Sequence, residues 1–119
     1  MVSAWFSVVI EARDRDRMAE FWCAALGYAV VHRGAHEVDI AAGADAFPGI
    51  AFVLPIGDEP ARSRLHLDLA PDDQAAEIER LTALGATVVD TGQDRAVDWV
   101  VLADPEGNRF CVLAPQDGW

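Results

Sequence analysis

Short runs of alternating apolar and polar residues recur along the chain, and two stretches with helical spacing interrupt them. The first run, Trp5–Ala12, has the two-residue period of a half-buried strand, with Ser7 and Glu11 on the same face. Asp14 can then cap a helix that ends at Gly27. The apolar stripe of this helix consists of Met18, Phe21, Trp22, Ala25 and Leu26. We therefore expect a strand followed by a helix.

The remaining strands follow from short apolar runs that glycine-containing turns separate. Three are predicted in the first half, at Tyr28–Arg33, His36–Ala41 and Gly49–Pro55. After the linker-like stretch Ile56–Arg62, the same order of elements begins again. The predicted elements of this second half are a strand at Arg64–Leu69, a helix that is capped by Asp72 or Asp73 and ends at Gly85, and strands at Thr87–Val89, Trp99–Ala103 and Arg109–Ala114. Each half has the order βαβββ.

The two halves align at one constant offset, which indicates an internal duplication: Asp14 falls on Asp72, and Gly27 falls on Gly85. A ferredoxin-like βαββαβ sandwich is the competing architecture, but it accounts for only about four strands. The pattern favours an α+β fold of two tandem βαβββ modules that form a curved mixed sheet around a cavity, with the helices outside. We expect a single domain over residues 1–119, with module one at about 1–56 and module two at about 63–119.

The formal net charge of −11 excludes two classes of partner. Nine basic residues, all of them arginine, stand against twenty acidic ones, so the protein repels phosphate backbones and anionic lipid surfaces. We expect neither nucleic acid nor a membrane as a partner. The N-terminus lacks the basic region of a signal peptide, and Cys23 and Cys111 match no disulfide or metal spacing, so a cytoplasmic location is expected.

Three segments, in this order, resemble the glyoxalase-like branch of the vicinal oxygen chelate superfamily: Phe21–Tyr28, Arg64–Leu69 and Trp99–Asn108. The last of them contains the turn Asp104-Pro105-Glu106-Gly107-Asn108. The resemblance covers essentially the whole chain and implies paired βαβββ modules. It leaves the function open, because the superfamily includes metal-dependent glyoxalases, isomerases and extradiol dioxygenases as well as metal-free proteins that bind bleomycin and other antibiotics.

In the metal-using members, ligands come from the first and last strand of each module. The corresponding places in module one hold poor ligands, namely Ser7 or Val8 and Val53 or Phe52. In module two, His66 stands at the place of a ligand histidine, and Cys111 replaces a glutamate. Because a catalytic metal normally takes about three protein ligands, we expect no metal cofactor. Zinc held by His66 and Cys111 with ligands from a partner subunit is the alternative.

Strand periodicity predicts which side chains line the cavity. They are Ser7, Glu11, Val53, Arg64, His66, Asp68, Trp99, Arg109 and Cys111. The charged residues among them could equally form ion pairs across adjoining strands. His66 is the best candidate for a general base or a group that fixes a ligand. Cys111 is expected to be inert, and Trp99 is either a core residue or a flat wall for a ligand.

A second polar cluster consists of His32, His36, Glu37 and Asp39, because a turn at 33–35 would bring His32 near His36. Exposed hairpin positions explain these residues without a metal.

The leading hypothesis is a metal-independent protein that binds a small organic molecule in the cavity between its modules, with a sequestering or resistance role. One alternative is a lyase, isomerase or dioxygenase that uses His66 as a metal ligand or base. Another is a dimerising structural module. We expect a homodimer, because curved sheets with exposed strand edges tend to associate.

Overall fold

The computed structural model describes residues 2, 5–55, 65–89 and 99–115. The chain forms two compact units, residues 1–60 and 61–119. Unit 1 contains β1 (Ser7–Glu11), α1 (Arg15–Leu26), β2 (Ala29–Arg33), β3 (Glu37–Ala41) and β4 (Gly49–Val53). Unit 2 contains β5 (Leu67–Leu69), α2 (Gln74–Leu84), β6 (Thr87–Val88), β7 (Trp99–Ala103) and β8 (Arg109–Leu113). The predicted α+β fold of two tandem βαβββ modules is confirmed.

Both units have the same sheet topology. The strand order is β1-β4-β3-β2 in unit 1 and β5-β8-β7-β6 in unit 2. The first strand of each unit pairs in parallel with the last strand, and the other pairs are antiparallel. This shared order supports the duplication inferred from the sequence.

The helix caps explain where both helices begin and end. The Asp14 carboxylate accepts a hydrogen bond from the Arg17 backbone N–H at 3.0 Å, and Gly27 ends α1 with a φ of 70°. In α2 the cap is Asp73, which accepts from the Ala76 backbone N–H at 3.1 Å. The constant offset paired Asp14 with Asp72 instead, and it fails there because α2 has eleven residues whereas α1 has twelve.

One face of each sheet packs against the helix of its own unit. α1 packs on β3 and β4, and α2 packs on β8. The largest fully buried side chains are Met18, Phe21, Trp22, Ile40 and Phe52 in unit 1, and Leu81, Leu102, Phe110 and Val112 in unit 2. Each contributes roughly 1.5–3 kcal/mol by leaving water. We call the other side of each sheet, which carries no helix of its unit, its distal face.

The turn between β7 and β8 is built around a buried carboxylate. Asp104 Oδ1 accepts hydrogen bonds from the backbone N–H groups of Glu106 and Asn108, both at 3.0 Å. The Asn108 side-chain amide donates to Asp104 Oδ2 at 3.0 Å, and Gly107 adopts a φ of 88°. The turn predicted from Pro105 and Gly107 is therefore fixed by the Asp104 side chain.

The strand predicted over Arg64–Leu69 is shorter in the structure. β5 begins at Leu67, and Leu65 is 84% exposed instead of packing towards the helix. Arg64 and the whole of the predicted linker, residues 56–62, lie outside the described residues. Within the described ranges, no helix has the length and apolar character needed to cross a membrane.

Candidate functional site

The distal face of unit 2 carries four of the predicted site residues. Asp68 pairs with Cys111 across β5 and β8. Arg109 and Trp99 belong to the same face, because they alternate with Phe110 and Val112, whose side chains are buried on the helix side. Trp99 is 43% exposed, so the alternative of a core tryptophan is not what the structure shows.

Two of these side chains, Asp68 and Cys111, meet His66 in what we call the unit-2 cluster. His66 lies just before β5, and its Nε2 is 3.1 Å from Asp68 Oδ1. The possible ligand atoms of all three residues lie within 4.8 Å of one another. The side chains of His66 and Asp68 are 53% and 52% exposed, whereas Cys111 is buried. The cluster is therefore open to solvent on one side and closed on the side of the thiol.

The surroundings of Cys111 keep its thiol protonated. Burial raises the pKa of Cys111, and the Asp68 carboxylate raises it further through its charge and a hydrogen bond with the thiol. A thiol needs a lowered pKa to be a good nucleophile at neutral pH. The structure therefore supports the expectation that Cys111 is inert in the metal-free protein.

The charged residues of the predicted site form fewer ion pairs across adjoining strands than the alternative drawn from the sequence would require. The recorded salt-bridge partner of Asp68 is His66, two residues away on its own chain segment, and not an arginine from an adjoining strand. Among the described residues, neither Glu11 nor Arg109 forms a salt bridge.

The distal face of unit 1 carries Ser7, Glu11 and Val53. Ser7 pairs with Gly49, and Glu11 pairs with Val53 across β1 and β4. On the other side of Val53 lies Glu37 of β3, so carboxylates stand on both neighbouring strands. Between Ser7 and Glu11 on β1, the side chain of Val9 is 61% exposed. This face therefore combines apolar surface with negative charge.

The residues of the two units differ in how well they suit the metal that the family resemblance implies. Ser7 and Val53 face the distal side of unit 1 but are not metal donors, and Phe52 is fully buried in the core. In unit 2, Asp68 joins His66 and Cys111 as a third donor. The sequence placed Asp68 in the cavity lining, with ion pairing as the alternative, and offered only His66 and Cys111 as metal donors there. One nitrogen, one oxygen and one sulfur donor suit zinc, provided that the Cys111 thiol loses its proton.

Two surface grooves in unit 1 lie elsewhere. Asp16 and Arg33 line both grooves, Cys23 and Tyr28 line only the first, and the second lies at the start of α1. Neither groove contains Ser7, Glu11 or Val53.

A polar cluster on the β2–β3 hairpin is more compact than the sequence suggested. Ligand atoms of His32, Glu37 and Asp39 lie within 4.8 Å of one another, and His36 is not among them. Burial raises the pKa of Asp39, and the neighbouring Glu37 raises it further through a hydrogen bond and its charge, while His32 lowers it. Sequence reasoning grouped these residues but could not select His32 over His36.

The repeated βαβββ topology, with its parallel pairing of first and last strands, defines a vicinal oxygen chelate fold. The chain belongs to the glyoxalase-like domain family, which it matches over residues 7–113. A comparison with curated protein sequences found no significant match.

Solved structures with the same fold include enzymes and binding proteins. A glyoxalase/bleomycin resistance protein/dioxygenase family enzyme from Burkholderia phytofirmans PsJN superposes with a TM-score of 0.74 at 20% identity, covering 96% of this chain and 100% of that one. TnmS3, an antibiotic binding protein from Streptomyces sp. CB03234, gives 0.67 at 22% identity, covering 97% and 98%. The bleomycin resistance determinant encoded on the transposon Tn5 gives 0.60 at 22% identity, covering 96% and 99%.

Proposed function

We propose that this protein binds a small organic molecule without the catalytic metal of its family, and that it acts by sequestration or in resistance. The observation that carries the proposal is the pair Ser7 and Val53 on the distal face of unit 1. The family resemblance implies that Ser7 or Val8 and Val53 or Phe52 stand where metal-using relatives carry ligands, and none of these residues is a good ligand for a divalent metal. Each distal face by itself carries residues that the sequence predicts to line a cavity, and we assign ligand binding to these faces.

The same surfaces indicate the chemical class of the ligand. Glu11 and Glu37 flank Val53 in unit 1, and Trp99 offers a partly exposed aromatic surface in unit 2. The carboxylates of unit 1 attract the charge of an organic cation, and the exposed indole of unit 2 packs on an apolar or cationic group, so each face by itself suits an organic cation with an apolar body. The net charge of −11 draws cations towards the protein. The existence of antibiotic-binding neighbours with this fold agrees with the proposal.

A thermal-shift screen of basic antibiotics, with bleomycin first, tests this function. A ligand at one hundred times its dissociation constant stabilises the protein by about 2.7 kcal/mol, which raises the melting temperature. We expect the shift to persist in EDTA and to shrink in Glu11→Gln and Trp99→Ala. Glu79→Gln removes an exposed carboxylate on α2 and serves as the control. Binding that EDTA abolishes, or no shift with any compound, would contradict the proposal.

A second candidate is an enzyme of lyase, isomerase or dioxygenase type that uses His66 as a metal ligand or base. The contact between His66 Nε2 and Asp68 favours it, because a carboxylate that accepts the Nε2 proton orients the ring and leaves Nδ1 to accept another. Stoichiometric zinc, nickel or iron that His66→Ala removes would support the metal enzyme and contradict the metal-free function. Protein that purifies without metal and without enzymatic activity would exclude this second candidate.

We also propose that the protein is a cytoplasmic homodimer. All five residues of β2 are exposed, and β2 is an edge strand whose free backbone groups can pair with another chain. The acidic composition and the free thiols of Cys23 and Cys111 agree with a reducing compartment. Light scattering on a size-exclusion column gives the mass in solution, and a monomer at micromolar concentration would contradict the dimer.

A further inference from the structure

The β2–β3 hairpin of unit 1 contains a β-bulge that changes which side chains face each other. Val30 pairs with Ile40, but the next pair is His32 with Asp39, so Val31 is the extra residue of β2. With regular pairing, His32 would oppose Val38, whose side chain is buried against the helix side. The bulge therefore moves His32 onto the distal face, directly opposite Asp39.

Neighbouring contacts hold His32 in this orientation. Arg33, the next residue, forms an ion pair with Asp16 of α1 and so lies on the helix side. The hairpin turn is closed by a hydrogen bond from the Gly34 N–H to the Glu37 carbonyl at 2.9 Å. A Cβ atom on Gly34 would lie 3.3 Å from His32 Nε2, so the glycine leaves room for the imidazole. These contacts fix the backbone next to His32, and Gly34 leaves space for its ring.

Glu37 and Asp39 complete the group, because they are two residues apart on β3 and therefore share a face. The ligand atoms of His32, Glu37 and Asp39 lie within 4.8 Å of one another. Asp39 Oδ1 is buried and accepts no hydrogen bond from any described residue. A buried acceptor without a donor is costly, and two adjacent carboxylates repel unless a shared proton or a metal ion lies between them. All three features point to a cation.

We propose that the hairpin binds a divalent transition metal ion of the zinc class through His32, Glu37 and Asp39. An imidazole nitrogen favours transition metals over magnesium and calcium, and carboxylate oxygens complete a set of three protein ligands. Water fills the remaining positions, because the His32 side is exposed. The site goes beyond the proposed function, since it binds a metal ion through residues of β2 and β3, of which only Glu37 also belongs to the surface assigned to the organic ligand.

The bound ion has a structural consequence. It links edge strand β2 to β3 next to the bulge, where the regular ladder is interrupted. A ligand that binds only the folded state raises stability in proportion to its saturation. We therefore expect zinc to raise the melting temperature of the full chain.

Zinc titration of tag-free protein in a Cys111→Ser background tests the site. This background weakens zinc binding at the unit-2 cluster, so that calorimetry and native mass spectrometry measure zinc binding at the hairpin. We expect one zinc ion per chain. His32→Ala and Asp39→Asn should each lower the affinity for zinc by at least about 100-fold, because even changes to residues that only support a metal ligand cost 10–100-fold. His36→Ala is the matched control, because His36 is an exposed histidine of the same hairpin outside the cluster.

Cobalt substitution in the wild-type protein gives a second readout. A site made of nitrogen and oxygen ligands shows d–d bands without thiolate-to-cobalt charge transfer, whereas an ion at Cys111 shows that charge transfer. The proposal is overturned if zinc fails to bind, if His36→Ala weakens binding as much as His32→Ala, or if His66→Ala alone removes the ion. The zinc titrations contain no organic ligand and the thermal-shift screen is read in EDTA, so failure of the site and failure of the proposed function are distinguished although both involve Glu37.

Discussion

Asp68 illustrates how one side chain can set the chemistry of its neighbours. It contacts His66 at 3.1 Å and raises the pKa of Cys111 by its charge and hydrogen bond. The sequence predicted that Asp68 and Cys111 share a face, because strand alternation requires it. It did not predict their contact, since pairing between β5 and β8 joins residues far apart in the chain.

Asp68→Asn should make Cys111 more reactive. Removing the carboxylate charge lowers the pKa of Cys111, so a larger fraction is thiolate at a given pH and alkylation is faster. Iodoacetamide kinetics in a Cys23→Ser background measure the rate at Cys111 alone. Glu79→Gln should leave the rate unchanged. A rate that does not rise in Asp68→Asn would show that burial alone controls the thiol.

At the scale of the elements, helices and strands were predictable because local signals specify them. Caps, stop glycines and apolar periodicity located both helices, and β7 occurs at Trp99–Ala103 as expected. The bulge in β2 was not predictable, because Val30 and Val31 suit regular pairing equally well. His32 could therefore not be assigned to Asp39 from the sequence.

Gly49→Ala should destabilise the protein. A Cβ atom there would lie 2.7 Å from the Ile40 carbonyl oxygen, so β3 and β4 would have to separate. Overpacking of this kind costs about 1–3 kcal/mol. Urea denaturation measures the change. Gly43→Ala is the matched control, because no atom lies within 4 Å of its added Cβ, and equal losses for the two variants would refute the steric explanation.

The Glu77–Arg80 pair of α2 should contribute to the free energy of unfolding in a pH-dependent way. The hydrogen bond and charge of Arg80 lower the pKa of Glu77, so the pair stabilises the fold above the ordinary carboxyl pKa and stops doing so as the pH falls through the lowered value. Because the pair is partly exposed, Glu77→Gln should cost less than about 1 kcal/mol at neutral pH, including the helix-dipole term. Denaturant unfolding across acidic pH should show this cost disappearing, and a constant cost would exclude the ion pair as its source.

For the whole molecule, the sequence revealed the duplication and the family, because Asp and Gly caps recur at nearly the same spacing in both halves. The residues that could bind a metal were harder to predict. The family's ligand places do not include Asp68, and the sequence grouped the hairpin residues but explained them as exposed positions, because the contacts of both groups depend on strand pairing and on a bulge.

The net charge of −11 should control how quickly a basic ligand associates. Attraction over distances beyond the Debye length is screened by salt, so the association rate constant for bleomycin should fall as sodium chloride is raised, with a smaller change in dissociation. Stopped-flow tryptophan fluorescence measures both rates. An association rate independent of salt would show that the acidic surface does not guide the ligand.

The strand order also dictates when each sheet can be completed during synthesis. In unit 1 the central strand β4 is the last to leave the ribosome, and β1 has no other partner in its sheet. β1 must therefore wait, unpaired, until about forty further residues have emerged, whereas the β2–β3 hairpin can form at once. Unit 2 repeats this delay with β5 and β8. A nascent chain of this protein thus exposes an unpaired apolar strand twice, and each exposure is an opportunity for chaperones or for aggregation.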